Sequence, residues 1–409
     1  MSSNPAMSPR LDVAVRSLPL IIACGCLVAM ISFGPRSAVG LFLAPMTEAR
    51  GWSREAISLA VALQNLLWGI GQPFAGMIAD RWGTGRVLVG GALLYAVGLA
   101  ATAVIQSVFL LQITLGVTVG LALAAASFSI VLAAFGRAVT PAKRTLAFGI
   151  GTAAGSLGQF LFAPLSLGLI EGFGWQGALF GLAVLTLAII PLAWPLRGKG
   201  HPAVRGQDQS LGEALHEAFG HRSYVLLAIG FFVCGFHVAF ITVHLPPYIV
   251  DLGLDPIWGA WAIAFIGLFN IVGSLAAGAL GQRWAKQKSL AFIYLGRSAA
   301  ILAFILIPAS PASVLTFAAV MGLLWLSTVP LTSGLIAGMF GARYMATLFG
   351  FVFFSHQIGS FVGVWLGGRL YDTTGSYDGF WWAAIVLGVV AALIHWPIRE
   401  TPVARLQPA

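Results

Sequence analysis

Apolar residues in this chain run in long unbroken stretches, and the polar residues gather in short clusters between them. A helix crosses the hydrocarbon core of a bilayer with about 20 apolar residues. Stretches of that kind recur twelve times, at about 18–46, 55–79, 87–106, 108–136, 145–170, 175–196, 223–250, 257–281, 289–308, 313–339, 344–370 and 379–397. The pattern predicts an all-α membrane protein with twelve transmembrane helices. One polar stretch is long, and it holds Arg197, Lys199, Arg205, Asp208, Glu213, Glu217 and Arg222. It divides the chain into an expected cytoplasmic tail (1–17), a six-helix bundle (18–196), a cytoplasmic linker (197–222), a second six-helix bundle (223–397) and a cytoplasmic tail (398–409).

The two bundles repeat. A shift of 202 places Leu43, Pro45 and Gly51 on Leu245, Pro247 and Gly253, and Gly120 on Gly322. The same shift lays Gly76 to Trp82 on Gly278 to Trp284, and a shift of 201 puts Gly149, Gly158 and Gly174 on Gly350, Gly359 and Gly375. A near-constant offset over most of both halves is not chance matching among glycines. Two equivalent halves in parallel orientation form the architecture in which a midplane cavity opens alternately to each side.

Composition excludes the soluble alternatives. Hydrophobic residues make up 59% and charged residues 9%, against roughly 25% charged in a soluble domain. The net charge of +9 records topology instead of nucleic-acid binding, because Lys and Arg collect in cytoplasmic loops. With both termini inside, 17 of the 22 Lys and Arg fall in cytoplasmic segments, and only Arg50, Arg54 and Arg369 fall outside. A multi-pass protein of the cell's inner membrane is expected, its first segment uncleaved. Cys24, Cys26 and Cys234 lie inside apolar stretches and read as core residues. No nucleotide-binding glycine loop and no zinc-type His/Cys spacing occurs, so an enzyme, an ATP-driven pump and a cofactor are not expected.

The loop between segments 2 and 3 reads Gly76-x-x-x-Asp80-Arg81-x-Gly83-x-x-Arg86, with a degraded copy carrying Gln282 and Arg283. On these residues the chain resembles the major facilitator superfamily over nearly its whole length. The resemblance implies the major facilitator fold, and it implies that Gly76, Asp80, Arg81, Gly83, Arg86, Gln282 and Arg283 form a cytoplasmic gate. The plain alternative is a topogenic turn. Phe33-Gly-Pro35-Arg36-Ser37 in segment 1 is similar to the pattern of bacterial monocarboxylate and oxalate-formate porters, whose cation at this place contributes to carboxylate transport. The acidic-glycine-aromatic opening of segment 1 in many of those porters is absent, and their substrate-binding arginine on helix 8 corresponds here to Ser274.

The charges sharpen the expectation. Every one of the 13 carboxylates falls at a helix end, in a loop or in a tail. Two arginines, Arg36 and Arg297, fall within helices, and each costs about 2.5–3.5 kcal/mol to insert at a helix centre. Fixed positive charge without a buried acid favours an anionic ligand. Arg36 is expected to attract it; Arg297 is a weaker candidate, with neighbouring carbonyls as its alternative partners. His237 and His244, seven apart on one face of segment 7 beside Pro246 and Pro247, and His356 in segment 11 are candidates for proton handling or substrate contact, with plain packing as the alternative. Asn65, Asn270, Trp325 and Gln357 complete the candidate substrate site, the two asparagines being equally readable as glue between helices. The expected function is secondary transport of a small organic anion, a mono- or dicarboxylate, by a monomer, with protons as the coupling ion. The rivals are an efflux porter for an uncharged or hydrophobic compound and a non-transporting sensor on the same fold.

Overall fold

Hydrocarbon offers no hydrogen-bond partner to a peptide group, so a spanning segment must satisfy its own backbone as a helix. The computed structural model describes residues 17–138, 144–198, 210–341 and 344–406, and no strand is present among them. The ends of both expected tails, residues 199–209 of the linker, and the side chains of Asp80 and Arg81 lie outside the described residues. Each of the twelve predicted segments is helical. They are α1 (Leu18–Arg50), α2 (Arg54–Trp82), α3 (Thr84–Val104), α4 (from Val108 to Ala138), α5 (144–173), α6 (175–192), α7 (Arg222–Asp251), α8 (Pro256–Leu280), α9 (Lys286–Leu306), α10 (Pro311–Phe340), α11 (Met345–Thr374) and α12 (Asp378–His395). The turn between α5 and α6 is a single residue, Gly174, at φ 69°, a conformation that glycine adopts without steric cost.

Three spans are broken where the apolar pattern predicts continuous helix. The first helical piece of α1 ends at Ser37, and a 3-10 turn at Val39–Phe42 leads into Leu43–Arg50. Pro35, which lacks an N–H, initiates that break. α4 passes through a π-helical stretch, Gln112–Thr118, and is interrupted between Ala125 and Phe128. α10 is interrupted between Leu324 and Thr328. Hydropathy is blind to such breaks when polar side chains satisfy the freed backbone groups.

The repeat recurs in three dimensions. A Cβ on Gly120 of α4 would stand 2.8 Å from the Gln64 carbonyl and 2.9 Å from Leu67 Cβ; on Gly322 of α10 it would stand 2.8 Å from the Ile266 carbonyl and 2.8 Å from Phe269 Cβ. All three pairs are 202 apart. The halves α1–α6 and α7–α12 meet through α2 against α11, through the symmetry-related pair α8 against α5, and through the break of α1 against α7. Large apolar side chains such as Phe109, Phe173, Val184 and Leu393, each more than 65% exposed, form the lipid-facing surface. In the linker, the helix Leu211–Gly220 opens with a reciprocal cap between Ser210 and Glu213 and is tied to the 3-10 turn Ala404–Leu406 by the ion pair of Arg405 and Glu217.

Candidate functional site

The break in α1 places Arg36 in the last turn of a helix, where the carbonyl dipoles favour a cation, and at the seam between the halves. Arg36 is 9% exposed. Its Nη2 donates to Asn65 Oδ1 at 2.9 Å, and its guanidinium stacks 4.6 Å from the Trp68 ring centroid and 5.3 Å from that of Phe33. Its Nε has no partner, and among the described residues no carboxylate pairs with it. From the other half, Gln357 Nε2 donates to the Asn65 carbonyl at 3.0 Å, and Gln357 Oε1 faces His356 Nδ1 at 3.0 Å. Phe353, one turn before, meets Trp68 edge-on at 5.5 Å. Arg36, Val39, Val61, Gln64, Asn65, Ala239, Thr242 and Val243 line a narrow cleft between the halves, with room for about one water molecule in this conformation.

Of the sequence candidates, Arg36, Asn65, His356 and Gln357 thus come together. Arg297, Asn270 and Trp325 form a second group at the break of α10. Arg297 is wholly buried; its Nε and Nη2 donate to the Leu324 carbonyl at 3.2 and 2.8 Å, and Nη2 also reaches the Trp325 carbonyl. Asn270 Oδ1 accepts from the Leu326 N–H at 3.0 Å, while its Nδ2 donates to Ser156 of the other half at 3.0 Å. The interrupted backbone is held on its acceptor side by an arginine and on its donor side by an amide. Trp325 is 1% exposed. The two histidines of α7 go elsewhere: His237 Nε2 lies 2.8 Å from the Ala384 carbonyl, and His244 lies 2.8 Å from the Val364 carbonyl and 3.0 Å from the Tyr377 hydroxyl.

A ring of charges at the arginine-poor end was not singled out from the sequence. Arg54 of α2 makes a two-pronged ion pair with Asp251 of α7, at 2.5 and 2.7 Å, and stacks on Tyr371. The Asp372 carboxylate accepts from the first two N–H groups of α2, Arg54 at 3.2 Å and Glu55 at 2.7 Å. Glu55 in turn pairs with Arg369 at 3.1 Å and accepts from Trp365. Every one of these bonds crosses between the halves. The available signal was opposite charge at one end of helices from opposite halves. At the arginine-rich end the picture reverses. A Cβ on Gly76, or on its repeat Gly278, would meet no described atom within 4 Å. Arg86, Gln282 and Arg283 are exposed, and Gly83 packs on Gly198 of its own half. Phe74, Met77, Val272 and Leu275 are more than half exposed. Among the described residues, hydrogen bonds and ion pairs tie the halves together at the arginine-poor end, and none joins them at the arginine-rich end.

Twelve helical spans among the described residues, in two repeated halves joined at one end beside a narrow cleft, define a polytopic helical membrane protein. The family model of the Major Facilitator Superfamily matches residues 25–364, and the chain belongs to that superfamily. It is 27% identical over 385 residues to the uncharacterized MFS-type transporter YcxA of Bacillus subtilis, covering 90% of this chain and 91% of the relative. It is 28% identical over 372 residues to monocarboxylate transporter 11 of Mus musculus, covering 88% and 82%. In fold it matches the crystal structure of a D-xylose-proton symporter with a TM-score of 0.75 at 13% identity, over 93% of this chain and 97% of that one. It matches an inward-facing, unoccupied bacterial homolog of the human lysosomal transporter Spinster with a TM-score of 0.73 at 14% identity, over 94% and 97%. The chain is a multi-pass membrane transporter and not an enzyme.

Proposed function

We propose that this transporter moves a small organic anion with a single carboxylate across the inner membrane, in step with a proton. The observation that carries this reading is Arg36: a buried cation at the seam between the halves, clamped by Trp68 and Phe33, with an unpartnered Nε and, among the described residues, no carboxylate paired with it. A carboxylate entering the cleft would gain a charge-assisted bond to that nitrogen. Arg297 spends its Nε and Nη2 on backbone carbonyls, so a second carboxylate would meet no second cation. The relatives named as monocarboxylate transporters support the same class. The apolar walls Val39, Val61, Ala239 and Val243 suit the carbon body of such an acid.

Gln357 and His356 reach the site from the second half, so a ligand held by Arg36 and Asn65 would bias the closure of the halves, as differential binding requires. With the arginine-rich end in the cytoplasm, the conformation is inward-facing: the ring of Arg54, Glu55, Asp251, Arg369 and Asp372 is the closed outer gate, and the Gly76 to Arg86 loop with Gln282 and Arg283 is the parted inner one. The test is substrate-driven proton flux in proteoliposomes over a panel of mono- and dicarboxylates. Lumen acidification driven by a monocarboxylate and not by dicarboxylates is expected. No flux with any acid, with hydrophobic compounds protecting the protein against thermal unfolding, would replace this reading by efflux of an uncharged compound.

A further inference from the structure

The internal repeat continues into a stretch that neither the cleft nor the outer ring uses. Trp194-Pro195-Leu196-Arg197, just past α6, recurs 202 positions later as Trp396-Pro397-Ile398-Arg399, just past α12. Proline cannot continue a helix and is common just beyond its end. The aliphatic third residue is an anchor in both copies, Leu196 and Ile398 each being 2% exposed, whereas Trp194 and Trp396 are 65% and 54% exposed. Both arginines are exposed as well. Each copy is also fixed to the start of a neighbouring helix. The first N–H of α3, Thr84, donates to the Gly198 carbonyl at 3.0 Å. Its repeat, the first N–H of α9, Lys286, donates to the Glu400 carboxylate at 2.5 Å, and Lys286 Nζ pairs with the same group at 2.9 Å. Two residues into each helix stands an exposed cation, Arg86 in α3 and Lys288 in α9.

The join therefore brings an exposed tryptophan and two cations to the same end of each helix pair. In the first half Arg197 stacks on Trp194 at 3.5 Å. In the second half Glu400 is spent on Lys286, and among the described residues neither Lys288 nor Arg399 pairs with a carboxylate. The face of α9 continues from Lys288 through Phe292 and Leu295, four and seven residues on, 58% and 39% exposed; that of α12 reaches Trp396 through Val389 and Leu393, 39% and 68% exposed. Both spacings keep to one side of a helix. Phe292 meets Trp396 edge-on at 6.1 Å, so the two stripes lie side by side. Cations come outermost, then two aromatic rings, then aliphatic side chains. Topogenesis requires basic residues in the loops and is indifferent to that order, which is the order of a phospholipid from phosphate to acyl chain.

We propose that the α9–α12 face at the arginine-rich end binds one anionic phospholipid, its phosphate held by Lys288 and Arg399 and its acyl chains lying along Phe292, Leu295 and Leu393. The α3–α6 face, with Arg86, Arg197 and Trp194, is the repeat-related second site. Basic groups close to the membrane surface attract anionic headgroups, and here the anchored third residue and the helix join present them on fixed backbone. A free phosphate would gain the cations but not the apolar stripe. A zwitterionic lipid would gain the stripe, but would bring a cation of its own to Lys288 and Arg399. The site is independent of what the transporter carries.

Native mass spectrometry of the delipidated full-length protein, titrated with dioleoyl phosphatidylglycerol or dioleoyl phosphatidylcholine, tests this without any transport. The parent is expected to retain two phosphatidylglycerol molecules, with phosphatidylcholine binding at least about tenfold more weakly. Lys288→Gln combined with Arg399→Gln should lose one of the two, its affinity falling at least about tenfold. Lys288→Arg combined with Arg399→Lys should keep both, as a charge site does and a packing defect does not. Equal retention of the two lipids by the parent, an unchanged phosphatidylglycerol count in the glutamine variant, or equal loss in both variants would overturn the proposal. Displacement of the lipid by an equal concentration of inorganic phosphate would overturn it too, in favour of a free-anion site. None of these outcomes depends on whether a carboxylate is transported.

Discussion

Arg36 and Arg297 are the two arginines within the membrane, and both sit at a break in a spanning helix. Each carries the same insertion cost, about 2.5–3.5 kcal/mol at a helix centre, and among the described residues neither pairs with a carboxylate. The structure spends them differently. Arg297 stands at the break of α10 and gives its Nε and Nη2 to the carbonyls which that break exposes. Arg36 stands at the break of its own helix, where the local 3-10 turn already satisfies the backbone, and it keeps an unpartnered nitrogen beside the cleft. Each keeps one nitrogen without a partner, Arg36 Nε and Arg297 Nη1, so the difference is one of place: Arg36 lines the cleft between the halves, whereas Arg297 is packed within one half against the carbonyls it holds.

That contrast can be broken by exchanging what each arginine lacks. Arg36→Ala removes the anion's partner while leaving one Asn65 oxygen to be rehydrated at the cleft; monocarboxylate transport should fall by about a hundredfold or more, the roughly 2–5 kcal/mol of a truncated buried charge pair. Arg297→Ala orphans the Leu324 and Trp325 carbonyls in a dry core, at about 1–3 kcal/mol each, so thermal unfolding in detergent should drop by several degrees. If Arg36→Ala instead unfolds the protein and Arg297→Ala does not, the assignment is inverted. Asn270→Ala, which orphans the Leu326 N–H and cuts the link to Ser156, should cost about 1–3 kcal/mol and loosen the α5–α8 seam, read as faster amide exchange on both sides of the α10 break.

Smaller effects belong to the ends of the molecule. Asp372→Asn leaves one oxygen in place of two for the Arg54 and Glu55 N–H groups; a shift of about 1–2 kcal/mol toward the outward-open state should raise labelling of a cysteine introduced into the α2–α11 seam near Ser58. Unchanged labelling would remove this ring from the gate. The smallest change concerns the linker. The backbone N–H and hydroxyl of Ser210 hold the Glu213 carboxyl below its ordinary range. A carboxyl with a lowered folded value stabilises above the unfolded value, about 4.3, and loses that contribution as pH falls through the folded one. Amide protection in the first turn of the linker helix should therefore persist at neutral pH and fade in acid, while Glu213→Gln should show no such fading.

The twelve helices and the repeat were legible because lipid leaves an apolar chain one solution, and because shape-critical glycines such as Gly120 and Gly322 recur at one offset. The breaks were not legible: Trp325 to Ser327 reads as continuous helix until Arg297 and Asn270 are seen to satisfy it. Arg36, Asn65, His356 and Gln357 each stood out as polar residues at membrane depth, but their assembly depends on α2 packing against α11, with Asn65 and Gln357 292 positions apart. The outer ring was missed for the same reason, Arg54 and Asp251 being 197 apart. His237 and His244 share a face of α7 as their spacing requires, yet that face packs on backbone carbonyls of α12 and α11. Helical periodicity gives the face and is silent on what covers it.

The central claim is that the Arg36 guanidinium is the anion's partner. Equilibrium binding of the transported monocarboxylate by titration calorimetry, in the parent, Arg36→Lys and Arg36→Ala, tests it with folding checked by thermal unfolding. Binding that survives weakened in Arg36→Lys and vanishes in a stably folded Arg36→Ala is the expected result. Undiminished binding to Arg36→Ala would contradict it.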